Sequence, residues 1–271
     1  MRSQRHQQSN LDDSKILFVT GMHRSHTSLL AHALMHAGLY LGDDLIEAEV
    51  SNPYGHFESK SIVDFHRDII QKQRLASWWS KVDLKKIKTI SSDDTFDPLF
   101  KEAWSPSTTH AYSGWKDPRA ALFLDMWSRI YPTAKFIITL RHPIEVVRSL
   151  DKRVLQSSRI GWKPLLSSRH FNHWLVTNQL ILDWVEQHRQ KSHVLHTPHS
   201  LLGEEKNNLL NLQLKKWGID LTVRFEEVID PTLIRLEDKE DRISRLYDKR
   251  NDVRKVYEKL LEFADSSYTP E

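Results

Sequence analysis

The sequence predicts an α/β domain of three layers, with helices on both faces of a central parallel sheet. Three observations lead there. Short apolar runs at Lys15–Thr20 (KILFVT), Lys135–Leu140 (KFIITL) and Ser192–Thr197 (SHVLHT) have the composition of strands buried on both sides. Helical patterns separate these runs, the order that builds βαβ units. At the end of the first run Gly21 makes a turn and hydroxyl residues open a helix, the layout of a phosphate-binding loop.

Each element has its own signal. Residues 1–14 lack an apolar stretch and read as a disordered tail with no signal peptide, leaving 15–271 as one domain. Thr27–Ala37 places Leu29, Leu30, Ala33, Leu34 and Ala37 on one helical stripe, and Gly38 follows as a stop. Ser59–Ala76 does the same with Ile62, Phe65, His66, Ile69 and Ile70. Residues 77–113 are rich in Trp, Lys, Ser, Thr and Pro and predict loops and short helices. Asp117-Pro118 reads as an N-cap followed by proline at the first helical position, opening a helix to Arg129. Pro143 opens another, with Val146, Val147, Leu150 and Val154 along it, and a long helix over 169–190 precedes the third strand. The stretch 231–265 is charged and helical, a face for a homodimer or a cover for the sheet. Ligands are expected at the carboxyl ends of the strands.

Composition removes several function classes. The chain contains no cysteine, so disulfides, thiolate metal sites and cysteine nucleophiles are out, which fits a reducing, cytoplasmic setting. A formal charge of +3 over 271 residues is too mild for a nucleic-acid surface. No apolar run is long enough to span a membrane, and no metal-ligand spacing stands out.

The loop GMHRSHTSLL, Gly21–Leu30, carries the chemistry. A helix start aims unpaired N–H groups and a positive dipole end at the strand tip. Arg24 adds a fixed charge, Thr27 and Ser28 add hydroxyls, and the set suits a phosphate or a sulfate. An ATP-binding loop needs a lysine where this chain has Thr27. After the second strand, RHPIEVVRS supplies Arg141 and, eight positions on, Ser149. A guanidinium there is a planar fork for phosphate oxygens or a surface ion pair. Arg148 faces the same site or solvent.

Together these segments resemble the sulfotransferases that use 3′-phosphoadenosine 5′-phosphosulfate (PAPS). GMHRSHTSLL is similar to that family's 5′-phosphosulfate loop, and RHPIEVVRS to its 3′-phosphate motif. NPYGHFES and GWKDPR are similar to segments of bacterial-type members, and the resemblance runs from about Ile16 to Arg153. It implies a P-loop-like sulfotransferase fold in which Gly21, His23, Arg24, Ser25, His26, Thr27 and Ser28 hold the 5′ side. Arg141 and Ser149 would hold the 3′-phosphate, and 3′,5′-ADP would be the product, with no metal required. The sulfuryl group would pass to a hydroxyl or amine of a small molecule or glycan, past an acceptor-side insert at 77–113. Glu58 is the first candidate for the base and His56 the reserve, with Arg24 and Lys116 stabilising charge; Arg119 is a further cation near the sulfate or acceptor. Asp117 reads as a helix cap. Trp78, Trp79, Trp104 and Trp115 read as core, with an acceptor wall as the alternative.

His26 stands where the family usually has glycine. A histidine fits an αR or β backbone there and, protonated, would donate to a sulfate; a positive φ would strain it. Two other readings remain open on sequence: a nucleotide kinase or NTPase with a degenerate loop, and a non-catalytic nucleotide-binding protein of the same fold.

Overall fold

The computed structural model describes residues 12–47, 55–75, 84–157, 166–197, 204–228 and 241–265. Three strands, β1 (Leu17–Gly21), β2 (Lys135–Arg141) and β3 (Ser192–Thr197), form a parallel sheet in the order β1-β2-β3. The register pairs Phe18 with Phe136 and Ile138 with Val194. All five residues of β1 are buried, as its apolar run requires.

Period-two alternation divides the strand side chains between two cores, which makes the domain three-layered. Phe18, Phe136, Ile138 and Val194 point into one core, and Leu17, Val19, Ile137 and Leu195 into the other. The second core is closed by α1 (Thr27–His36) through Leu30 and Leu34, and by α8 (Glu204–Lys216) through Leu210 and Leu214. The first is larger. It takes in α2 (Lys60–Lys72), α3 (Leu84–Ser92), α4 (Asp97–Ala103), α5 (Leu124–Ile130), α6 (Pro143–Ser157), α7 (Ser167–Gln187) and α10 (Asn251–Asp265). A short helix, α9 (Arg242–Asp248), packs on α6 and α7.

The structure changes some expectations and decides between others. Residues 12–14 are ordered: Asp12 caps a 3-10 turn over Asp13–Lys15, so the tail reading applies at most to residues 1–11, outside the described residues. The single helix from Asp117 to Arg129 is two elements. Pro118–Leu122 is a 3-10 turn, Phe123 departs from helical geometry at φ −129°, and α5 begins after it. Trp115 belongs to the core, stacked on Phe18 with ring centroids 4.2 Å apart, and Trp104 meets the edge of the same ring. Trp115 is fully buried and Trp104 partly so; Trp78 and Trp79 lie outside the described residues. The apolar stripe of α10 (Val253, Val256, Leu260, Phe263) is buried in the first core, so that stripe covers the sheet.

One feature has no signature in the sequence pattern. Residues 113–117 run alongside β1, bridging Ile16 to Ser113 and Val19 to Lys116 in parallel. Val19 N–H donates to Trp115 O at 3.0 Å, and Asp117 N–H to Val19 O at 3.2 Å. The approach is so close that a Cβ on Gly114 would lie 1.8 Å from Leu17 O, so only glycine fits. This pairing carries Lys116, Asp117 and Arg119 to the carboxyl end of β1.

Candidate functional site

The turn between β1 and α1 is built by close contact. Gly21 has φ +145°, and a Cβ there would meet Thr139 Oγ1 at 2.4 Å. Arg24 and His26 both adopt left-handed backbone, at φ +69° and +61°. For non-glycine residues such geometry persists only where the surroundings hold it in place. Three contacts do so. Arg141 Nη1 donates to Arg24 O at 2.9 Å, Thr197 Oγ1 to Ser25 O at 3.1 Å, and Ser25 N–H to Met22 O at 3.2 Å. Thr197, at the tip of β3, was not singled out from the sequence; its signal was its place at a strand end.

His26 therefore departs from the expectation that its backbone would be αR or β. Nor is it protonated. Burial, then the charges of Arg141 and Arg24, push its pKa down to about 3. Its ring Nδ1 and the hydroxyl of Ser25 are buried without a hydrogen-bond partner. No side chain caps the start of α1. Buried polar atoms without partners demand an explanation, and here they sit beside an uncapped helix start and two arginines. An anion answers all of these at once.

The loop after β1 and the segment after β2 meet. Arg24 Nε donates to Ser149 Oγ at 2.8 Å, joining the loop after β1 to the helix after β2. Arg141 Nε is held by Glu145 at 2.7 Å, one turn along α6. Burial, then Arg153 and Arg141, lower the pKa of Arg24, the mark of cations gathered in one place. Arg148 turns elsewhere: its guanidinium donates to Asp241 at 2.9 Å and to Ser244 at 3.2 Å, clamping α9 to α6.

A second cluster touches the same loop. Lys116, 1% exposed, donates to Ser28 Oγ at 2.9 Å, His56 O at 2.8 Å and Glu58 Oε1 at 2.6 Å. These three acceptors match the three donors of an ammonium. Burial lowers the Lys116 pKa although Glu58 opposes it. Arg119 Nη1 bridges Glu58 Oε2 at 3.3 Å and Asp117 Oδ1 at 2.8 Å. Burial alone would lower the pKa of Arg119, but Asp117 and Glu58 outweigh it and raise it. Asp117 caps the 3-10 turn through Arg119 N–H at 2.9 Å. Burial opposes its ionisation, yet the hydrogen bond from His66 and the charge of Arg119 hold its pKa well below the usual carboxylate range. His23 belongs to this second cluster. Burial lowers its pKa well below the ordinary value, and Arg119 and the neighbouring His173 add to the effect.

Every candidate residue thus borders one loop. Gly21, Arg24, Ser25, His26, Arg141 and Ser149 lie on one side; His23, Ser28, His56, Glu58 and Lys116 lie on the other, with Thr27 buried at the helix start between them. Hydroxyls already used as acceptors keep their own hydrogens to donate: Ser28 accepts from Lys116, and Ser149 from Arg24. Among the described residues no group of three or more His, Asp or Glu side chains converges as for a metal ion, and no helix is long and apolar enough to cross a membrane.

A parallel sheet whose first strand tip opens into a tight loop and an uncapped helix defines a P-loop-like α/β protein. A sequence profile of the sulfotransferase family matches residues 17–199, and the chain belongs to that family. Solved structures of similar fold include the sulfotransferase domain from the curacin biosynthetic pathway, at 14% identity and TM-score 0.47, covering 94% of this chain and 92% of that one. A sulfotransferase from Mycobacterium tuberculosis H37Rv matches at 14% identity and TM-score 0.47, covering 91% and 76%. One from Alicyclobacillus acidocaldarius matches at 12% and 0.49, covering 92% and 94%. No curated protein sequence is significantly similar to this chain.

Proposed function

We propose that the protein transfers a sulfuryl group from PAPS to a hydroxyl, or an amine, of a small-molecule or glycan acceptor. The observation that carries this reading is the Arg24–Ser149 hydrogen bond, with Arg141 bound to the backbone of Arg24. It turns two distant sequence segments into one cationic surface suited to a nucleotide with phosphate at both ends of its ribose.

When bound, PAPS would supply an activated sulfuryl group on a phosphate leaving group. The chain's own residues then divide the work. Arg141 and the Ser149 hydroxyl hold the 3′-phosphate, and Arg24, braced on Ser149, faces the bridging and leaving oxygens. Gly21 lets the loop close on β2, while the Ser25, Thr27 and Ser28 hydroxyls, the start of α1 and the His26 ring hold the 5′ side. Preorganised donors of this kind stabilise charge that develops at an in-line displacement. Lys116 and Arg119 extend the positive field toward the acceptor, with His23 beside them.

Glu58 is the proposed base. Both its oxygens are engaged by cations, and the longer contact, to Arg119 at 3.3 Å, is the one an acceptor hydroxyl would displace. His56 is the reserve; its backbone carbonyl already steadies Lys116. The domain is proposed as a single cytoplasmic unit, 15–271, whose segment 77–113 borders the acceptor, with no nucleic-acid partner.

Calorimetry with 3′,5′-ADP, 5′-AMP and ATP tests the reading. The expected result is a preference for 3′,5′-ADP without magnesium. ATP with Mg²⁺ binding equally well or better would favour the kinase reading, and 3′,5′-ADP binding without sulfuryl transfer the non-catalytic one.

A further inference from the structure

The His66 imidazole is fully buried, far along the chain from the loop, yet a continuous hydrogen-bonded path leads from it to the start of α1. Trp127 Nε1 lies 2.9 Å from His66 Nε2. An indole N–H can only donate, so Nε2 is the acceptor and Nδ1 carries the ring hydrogen. That hydrogen is donated to Asp117 Oδ2 at 2.8 Å. The other Asp117 oxygen takes Arg119 at 2.8 Å, Arg119 reaches Glu58 at 3.3 Å, Glu58 takes Lys116 at 2.6 Å, and Lys116 ends on Ser28 Oγ at 2.9 Å. His66, Asp117, Glu58 and Lys116 are all buried. The sequence showed His66 only as one position on an apolar helical stripe.

We propose that His66 is a positioning residue for the 5′ side of the loop, acting through Asp117 on the Arg119–Glu58–Lys116 cluster. The physical reason is charge accounting. Two carboxylates, Asp117 and Glu58, share two cations, Lys116 and Arg119, in a site nearly without water. Asp117 Oδ2 has His66 as its side-chain partner. Remove that partner and the buried carboxylate must draw harder on Arg119, which then leaves Glu58; Lys116 follows Glu58, and Ser28 loses the contact that orients its hydroxyl. Trp127 sets the direction of the chain by fixing the tautomer. The path ends at Ser28 and does not reach Arg141 or Ser149, so among the nucleotide contacts its influence should fall on the 5′ side. The ligand part of this inference rests on the sulfotransferase reading; the link from His66 to the loop does not.

Two readouts test it. In the ligand-free protein, His66→Phe should speed amide hydrogen exchange of residues 22–30 while β2 and β3 exchange as in wild type. His66→Gln, whose amide can both accept and donate, should restore most of the protection. In titrations, His66→Phe should weaken 3′,5′-ADP and 5′-AMP by the same factor, about 10–100-fold, the effect of losing one hydrogen bond to a charged group. Their ratio should not move. Unchanged exchange over 22–30 would overturn the proposal, as would faster exchange throughout the sheet, because either makes His66 a packing residue only. If the wild type shows no preference for 3′,5′-ADP, the sulfuryl-donor reading fails instead, and the exchange data still decide the link.

Discussion

Arg24 and Ser149 are separated by 125 positions in sequence and joined by a 2.8 Å hydrogen bond. The bond makes one surface of the loop after β1 and the helix after β2. Parallel strand order explains it: β1 and β2 are neighbours, so the segments leaving their carboxyl ends emerge side by side.

Arg141 has two duties at that junction, since it braces the Arg24 carbonyl and faces the proposed 3′-phosphate. Arg141→Ala should therefore lower the preference for 3′,5′-ADP over 5′-AMP by roughly 10–100-fold, because a hydrogen bond to a charged group contributes about 1.5–3 kcal/mol. Calorimetry on both nucleotides measures it. A preference equal to wild type would remove Arg141 from the site.

The Glu58–Lys116 pair separates chemistry from stability. Glu58→Gln should reduce sulfuryl transfer by about 10²–10⁴-fold, the usual contribution of a positioned base, while 3′,5′-ADP affinity changes little, because the amide oxygen still accepts from Lys116 and keeps it on Ser28. Glu58→Ala should in addition lower unfolding stability by about 3–5 kcal/mol, since it leaves the Lys116 ammonium buried without its carboxylate. Combining it with Lys116→Met should recover most of that loss in urea unfolding. Full activity in Glu58→Gln would move the base assignment to His56.

The sequence carries the local part of this site and little of the tertiary part. The strands were legible to within two residues because runs such as KFIITL are buried on both faces, and β3 was placed at Ser192–Thr197. The convergence of Arg24, Arg141 and Ser149 was legible because they follow the tips of two strands and lie in segments that resemble the family's two motifs. The pairing of residues 113–117 with β1 was not, because its hydrogen bonds join segments nearly a hundred positions apart. Trp115 read as core and is core; the acceptor-wall alternative stayed open because its ring partner, Phe18, is nearly a hundred positions away. His66 gave no chemical signal because its partners, Asp117 and Trp127, belong to other elements.

Buried histidines make stability depend on acid, and His193 and His26 show how. Burial lowers His193 to about 4, and burial with two arginines lowers His26 to about 3, from an ordinary 6.5. Below pH 6.5 the unfolded chain gains protons that the folded chain refuses, so stability is full above that value and falls as pH drops toward 4. Each group contributes a slope of up to about 1.4 kcal/mol per pH unit within its window. The His193 ring Nδ1 has no partner to lose, so His193→Phe should flatten the acid limb of the urea midpoint against pH. A limb of unchanged slope would show that His193 takes up its proton while folded.

His26→Gly sets strain against binding. The histidine holds φ +61°, and left-handed backbone costs an L-residue roughly 1–2 kcal/mol. It also buries an unpartnered Nδ1. Glycine removes both penalties and adds about 0.4–1 kcal/mol of unfolded-chain entropy to overcome. The ligand-free variant should therefore be more stable by about 1 kcal/mol in urea unfolding. If the ring's Nδ1–H is reserved for the bound nucleotide, the same variant should bind 3′,5′-ADP about fivefold more weakly, the loss of one ordinary hydrogen bond of about 1 kcal/mol. Stability gained with affinity lost is the pattern of a strained residue kept for its ligand. Stability and affinity rising together would instead make His26 an obstruction, and would show that the loop binds its anion through Arg24, the hydroxyls and the helix start alone.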